Sequence, residues 1–227
     1  MSHEQCKQEF DDNGYTVVRG FIDKKFADVL YTYLYNKVEA CKVKLQFEPH
    51  LYHPQWDIMF PANDVQCPLS FGTYGDVMFD TLMEHALPSI SHYTGVNLVP
   101  TYTYARLYQH KEVLQYHTDR DSCEYSTTLC LGGDPWPIFI EDLDGNSSQV
   151  DLEPGDMIVY SGCKLPHWRE QFTGQLAGQV FFHYNDVDGP HNIKFDGRIM
   201  LGIPKHFTHE YCYSGINTAI NYINKDY

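Results

Sequence analysis

The sequence predicts a mainly-β α+β fold, with helices packed on one face of a β core. Three observations predict it. Short β-prone runs follow one another from residue 98 onward. Turn residues separate them at about 8–12-residue spacing, as in a sandwich or barrel. Amphipathic helical periods come before that point and not after it, so the helices have one sheet face to cover. A chain of 227 residues suits one domain. With 43% hydrophobic and 15% aromatic residues, a packed interior is expected rather than disorder.

Each element has a local reason. Residues 5–45 read as an approach segment and helices. The run Gly14-Tyr15-Thr16-Val17-Val18-Arg19-Gly20 is β-prone and bounded by glycine. Asp23 is placed to cap a helix on which Phe26, Val29, Leu30, Tyr33, Leu34 and Val38 recur at intervals of three and four. Residues 46–72 are rich in Pro, His and aromatics without a period, and read as an irregular lid on which His50, His53 and Trp56 could meet a ligand. Residues 76–93 place Val77, Phe79, Leu82, Met83, Ala86, Leu87 and Ile90 on one face, giving a second helix that Pro88 kinks or ends. Strands are expected at 98–109, 112–118, 125–132, 136–142, 149–152, 156–162, 166–172 and 178–185. Gly132-Gly133-Asp134-Pro135, Asp144-Gly145-Asn146, Pro154-Gly155-Asp156 and Thr173-Gly174 supply turns between them.

The formal charge is −14, and it stays negative even with all 12 histidines protonated. Such a surface repels phosphate backbones and anionic lipid, so neither nucleic acid nor membrane is an expected partner. No apolar run reaches the roughly 18 residues of a membrane span, and MSHEQCKQEF lacks the basic and apolar regions of a secretory signal. The seven cysteines are irregularly spaced and form no CxxC pair. Reduced thiols and a cytoplasmic location are expected.

The chemistry concentrates at His117-Thr118-Asp119. In a strand, residues i and i+2 share a face with Cα atoms about 6.6 Å apart, so an imidazole and a carboxylate can converge on one ion. The candidate third ligand is His167. It follows Leu152-Glu153-Pro154-Gly155-Asp156 and an apolar strand that returns the chain across the barrel. Two His and one carboxylate form the facial triad that leaves positions open on non-haem Fe(II), as a bidentate 2-oxoacid and O2 require.

The order H-x-D, L-x-P-G-D and distal His, with YARLYQHKEVLQYHTDRD and PHWREQFTGQLAGQVFFHYN around it, resembles the Fe(II)/2-oxoglutarate-dependent oxygenase superfamily. The GYTVVRGFID opening extends the resemblance towards the N-terminus. The resemblance implies a double-stranded β-helix (jelly-roll, cupin-like) core over 98–186, a helical and lid region over 1–97, and a C-terminal extension over 187–227, all one domain. It implies His117, Asp119 and His167 as iron ligands, with Fe(II), 2-oxoglutarate as cosubstrate and O2, and ascorbate as a stimulating reductant. Halogenating members carry a small residue in place of the ligand carboxylate, so Asp119 points to hydroxylation.

Superfamily members often place Arg or Lys about ten residues after the distal His to hold the far carboxylate of 2-oxoglutarate. Ala177 stands there in this chain. Tyr108 matches the spacing of a tyrosine that touches 2-oxoglutarate in prolyl-hydroxylase-like and DNA-dealkylating members. Arg169 and Arg106 are the available cations, Arg169 with Tyr108 first and Arg106 next, with Gln179 nearby. Arg120 and Asp121 either orient ligands or pair with each other at the surface. Trp136, Trp168, Phe181, Tyr184, Tyr102, Tyr104 and Tyr116 read as core aromatics, His183 as a hydrogen-bonded core histidine or a pocket residue, and Cys123 as a small buried hydrophobe.

The leading reading is a prolyl-hydroxylase-like dioxygenase acting on a peptide side chain or small molecule. The alternatives are a nucleobase-oxidising dioxygenase and a non-catalytic cupin-like binding protein. The sequence leaves the oligomeric state open.

Overall fold

A computed structural model describes residues 2–53 and 56–204. The part of the C-terminal extension from residue 205 onward lies outside the described residues.

The N-terminal region alternates helix and strand: α1 (His3–Asn13), β1 (Tyr15–Val18), α2 (Lys24–Phe47), β2 (Phe71–Tyr74) and α3 (Val77–Thr94). Eight strands follow: β3 (Leu98–Gln109), β4 (Leu114–His117), β5 (Tyr125–Gly133), β6 (Ile138–Glu141), β7 (Ser147–Val150), β8 (Met157–Tyr160), β9 (His167–Arg169) and β10 (Leu176–Asp186). They build a six-stranded sheet in the order β1-β8-β5-β10-β3-β2 and a four-stranded sheet in the order β4-β9-β6-β7. The named strand pairs are antiparallel. From β3 to β10 the chain repeatedly changes sheet, so residues far apart in sequence meet between the two layers.

Local chemistry sets the helix ends. Ser2 and Gln5 form a reciprocal capping box on α1. The side chain of Asp23 accepts from Lys25 N at the start of α2, and that of Asp76 accepts from Met78 N and Phe79 N at the start of α3. Pro88 does not end α3, which continues to Thr94 before Gly95 closes it in the left-handed region. Pro88 and Glu84 lie on the exposed side of the helix, where water can satisfy the carbonyl that proline leaves without a donor.

The largest apolar cluster joins the three helices to one face of the six-stranded sheet. Leu30, Leu34 and Val38 of α2 and Phe79, Met83 and Ile90 of α3 share it with Leu107, Leu129, Val180 and Phe182. Alternate residues of the same strands point the other way, between the sheets. There Tyr108, Trp136, Phe172 and Ala177 form one cluster, and Ile138, Ile140, Ile158, Tyr160 and Leu165 another. Tyr116 departs from the expected core role. It is exposed and packs on Trp168, which stacks on Phe139. Among the described residues no helix is seen to pack on these side chains, and the aromatics shield one another. β2 was not anticipated, because its four residues gain order by pairing with distant β3 and by a bridge from Gly72 to Met59.

The chain after β10 is tied down by a buried ion pair. Arg198 Nη1 lies 2.8 Å from Asp80 Oδ2 on α3, and both side chains are fully enclosed. Asp80 also accepts from Thr103 N and Oγ1 and from Gly202 N, and Arg198 donates to Thr101 O and Ile203 O. Removing one partner strands the other charge. Asp80→Ala is expected to cost about 3–5 kcal/mol, read as a fall in the midpoint of denaturant unfolding. A shift below about 1 kcal/mol would show that water reaches the pair.

Candidate metal centre and its cavity

His117 ends β4 and His167 opens β9, and the antiparallel register sets them opposite each other. Their ring centroids are 4.3 Å apart. Asp119 is not in the strand, as the i, i+2 argument expected; it sits in the turn that follows. Its backbone N–H donates to Gly162 O at 2.9 Å, which fixes that turn. Its Oδ1 lies 3.6 Å from Nε2 of both histidines. One ligand-type atom from each residue falls within 4.8 Å of the other two.

The tautomers follow from the hydrogen bonds. His117 Nδ1 is 2.8 Å from Gln115 O and His167 Nδ1 is 3.0 Å from Leu165 O. A carbonyl only accepts, so each Nδ1 carries the proton and each Nε2 presents a lone pair to the shared point. Burial raises the Asp119 carboxyl, but the close His117 ring, the neighbouring His167 and His183 and the hydrogen bond from Ser126 outweigh it, leaving the group well below the ordinary carboxylate range. Burial lowers His117, yet the nearby Asp119 carboxylate and the Gln115 carbonyl favour the protonated ring and raise it overall. Burial lowers His167, with Asp119 opposing. Two neutral-capable imidazoles and one carboxylate on one face are a donor set for a divalent transition metal.

The triad opens on a cavity of about 520 Å³ between the sheets. Its walls include Tyr102, Tyr104 and Arg106 of β3, Phe181 and His183 of β10, Tyr160 and Arg169. Segment 59–66 forms one side through Met59, Asn63, Asp64, Val65 and Gln66. His50, His53 and Trp56 are not among the lining residues; His50 faces Glu48 instead. The sequence missed Asp64. Its carboxylate accepts from Arg106 Nε at 2.9 Å and from Tyr104 OH at 3.0 Å, and so fastens the segment over the site.

The three arginines of the cavity differ in what they hold. Arg106 pairs with Asp64, donates to Gln66 Oε1 at 2.7 Å, and reaches Tyr108 OH at 3.5 Å. Arg120 does not pair with Asp121, one of the two roles expected of it. It pairs with Asp196 at 3.0 Å and covers the Tyr102 ring, while Asp121 faces His191. Arg169 is fully buried and lies against the Trp136 ring, and its Nη1 donates to Trp136 O. Its Nη2 has no hydrogen-bond partner, and among the described residues no carboxylate pairs with it. Burial pulls its pKa down, the signature of a cation without a counter-ion. Thr128 Oγ1 and Gln179 Oε1 are likewise buried without a partner. Tyr108 is fully buried edge-on to Trp136 beside this group, and burial pushes its hydroxyl up to about 12.

Gly162 and Ser126 were also missed by the sequence reading, since neither carries metal-type chemistry. A Cβ on Gly162 would run into Cys123 O, Asp119 Oδ2 and Ser126 Oγ. Gly162→Ala is therefore expected to displace the Asp119 carboxylate and weaken Co(II) or Zn(II) affinity by about tenfold or more, measured by titration of the apo protein. Unchanged affinity would mean that the Asp119 turn is not fixed by this contact.

No protein-family model matches the chain, and no curated protein sequence does. Solved structures do. A prolyl-4-hydroxylase from Pseudomonas putida superposes with a TM-score of 0.60 at 14% identity, over 82% of this chain and 99% of that one. A carbocyclase of nogalamycin biosynthesis, SnoK, described as non-haem and α-ketoglutarate-dependent, gives a TM-score of 0.62 at 12% identity, over 90% and 93%. HygX from Streptomyces hygroscopicus, solved with nickel and 2-oxoglutarate, gives 0.55 at 15% identity, over 86% and 89%. At these identities the likeness is one of architecture: this chain has the fold of the Fe(II)/2-oxoglutarate-dependent oxygenases.

Proposed function

We propose that the protein is an Fe(II)- and 2-oxoglutarate-dependent dioxygenase that hydroxylates an unactivated C–H of a small molecule or a peptide side chain. One observation carries the reading: a two-His, one-carboxylate cluster and a buried, unpaired guanidinium line the same cavity. A metal site alone would fit a cupin-like binding module. A stranded cation within the same walls calls in addition for a bound anion.

In this reading the strand alternation between two sheets is a double-stranded β-helix, and residues 1–204 with the remaining C-terminal extension are one domain. His117, Asp119 and His167 hold iron through Nε2, Oδ1 and Nε2. Arg169 receives the distal carboxylate of 2-oxoglutarate, with Tyr108, Thr128 and Gln179 close by. Arg106 holds segment 59–66 through Asp64 rather than the cosubstrate. Bound iron with 2-oxoglutarate and O2 supplies the oxidation of the C–H bond. The chain's own contribution is to orient the ligands through Gln115 O and Leu165 O, to neutralise the cosubstrate, and to exclude water with Met59, Tyr104 and Phe181. The solved prolyl-4-hydroxylase of the same fold supports hydroxylation, and the α-ketoglutarate-dependent carbocyclase SnoK supports the cosubstrate. The charge of −14 weighs against a polynucleotide substrate.

The test is succinate release from 2-oxoglutarate with Fe(II) and ascorbate under air. Wild type is expected to turn over slowly without substrate and Asp119→Ala to fall to the metal-only background. Arg169→Ala is expected to raise the 2-oxoglutarate requirement about 10–100-fold, from the loss of a charged hydrogen bond worth about 1.5–3 kcal/mol, and Arg106→Ala far less. Turnover that survives Asp119→Ala would end the enzymatic reading; the reverse ranking of the arginines would move the anchor to Arg106.

A further inference from the structure

Asp119 has two carboxylate oxygens, and Oδ1 lies 3.6 Å from Nε2 of each imidazole. Oδ2 lies 2.7 Å from Ser126 Oγ on β5. The same hydroxyl is 3.1 Å from Cys123 O and 2.9 Å from His183 Nδ1 on β10. Ser126 and His183 are register partners across the β5–β10 pair, and both are buried.

A proton count fixes the direction of this chain. Serine has one hydroxyl proton, and a carboxylate and a carbonyl can only accept. That proton therefore goes to Asp119 Oδ2, the nearer and charged acceptor. The contact with His183 must then run from the ring, with Nδ1–H donating to Ser126 Oγ. A hydroxyl that accepts one hydrogen bond donates a stronger one. The other end of the ring, Nε2, has no hydrogen-bond partner among the described residues, and the ring itself packs on Tyr102 at 4.5 Å in the cavity wall.

We propose that Ser126 and His183 form a positioning relay for Asp119. The relay occupies Oδ2, so that the carboxylate meets a metal through Oδ1 alone and a coordination position stays open. It also ties a ligand in the turn after the small sheet to the large sheet, through a ring that stands in the cavity wall. This inference rests on the metal-binding role proposed for His117, Asp119 and His167.

The experiment is an anaerobic Co(II) titration of the full chain, reading affinity and the visible absorption envelope, with no turnover involved. Ser126→Ala and His183→Phe are expected to weaken Co(II) about 10–100-fold, with a weaker, shifted band as Oδ2 joins the metal. Ser126→Thr keeps the hydroxyl, and His183→Asn places an amide N–H near the Nδ1 position; both are expected to stay within about threefold of wild type with an unchanged band. Should the Ala or Phe variant fail to fold, Ser126→Gly and His183→Leu, which also lack the hydroxyl and the ring N–H, make the same comparison. Wild-type affinity and spectrum in the Ala and Phe variants would overturn the relay, as would equal loss in the Thr and Asn variants. Loss in Ser126→Ala without loss in His183→Phe would remove the histidine from it and overturn it too. Failure of the wild-type protein to bind Co(II) is a different result: it would overturn the metal reading itself.

Discussion

The site depends on one register. β4 and β9 pair so that His117 faces His167, and the turn after β4 is fixed by the Asp119 N–H to Gly162 O bond. A slip of one residue would turn either imidazole to the outer face of the small sheet. The register is held by the strand ladder, and the ring rotations by two backbone carbonyls. The carboxylate is held by Ser126 and by the absence of a side chain at Gly162. Each of the three side chains is thus oriented by a group that has no metal chemistry of its own.

Electrostatic balance explains the division of labour among the arginines. A guanidinium is costly to bury unless a carboxylate accompanies it. Asp64 accompanies the buried Arg106 and Asp80 the buried Arg198, while the partly exposed Arg120 pairs with Asp196. Arg169 alone among these four has only a carbonyl and an indole face. The three paired arginines fasten segments of the fold, while Arg169 keeps a buried Nη2 without a hydrogen-bond partner. The −14 charge of the whole chain does not contradict this local arrangement, because a buried cation acts over the few ångströms in which screening is weak.

Much of the fold was legible because it rests on local signals. The helix cap Asp23, the apolar periods of α2 and α3, and the glycine turns between strands all lie within a few residues of what they specify. The convergence of His117, Asp119 and His167 was legible because the order H-x-D, Pro-Gly-Asp turn and later His resembles a known pattern, and the structure brings the three side chains together. Other features depend on contacts no local window contains. β2 exists through its pairing with β3, Asp64 matters because Arg106 lies 42 positions away in sequence, and the partner of Arg120 proved to be Asp196 rather than its neighbour. Ser126 reads as an ordinary strand serine until the β5–β10 register sets it beside His183.

On β3, β5 and β10 the two faces have unrelated duties. Leu107, Leu129, Leu131, Val180 and Phe182 hold the helices, while Arg106, Thr128, Gln179, Phe181 and His183 face the other way. The two sets interleave residue by residue along each strand. Inward positions can therefore drift towards new ligands while the outward ones keep the scaffold folded. A strand of this kind can diverge in selectivity at every second position without losing its place in the sheet.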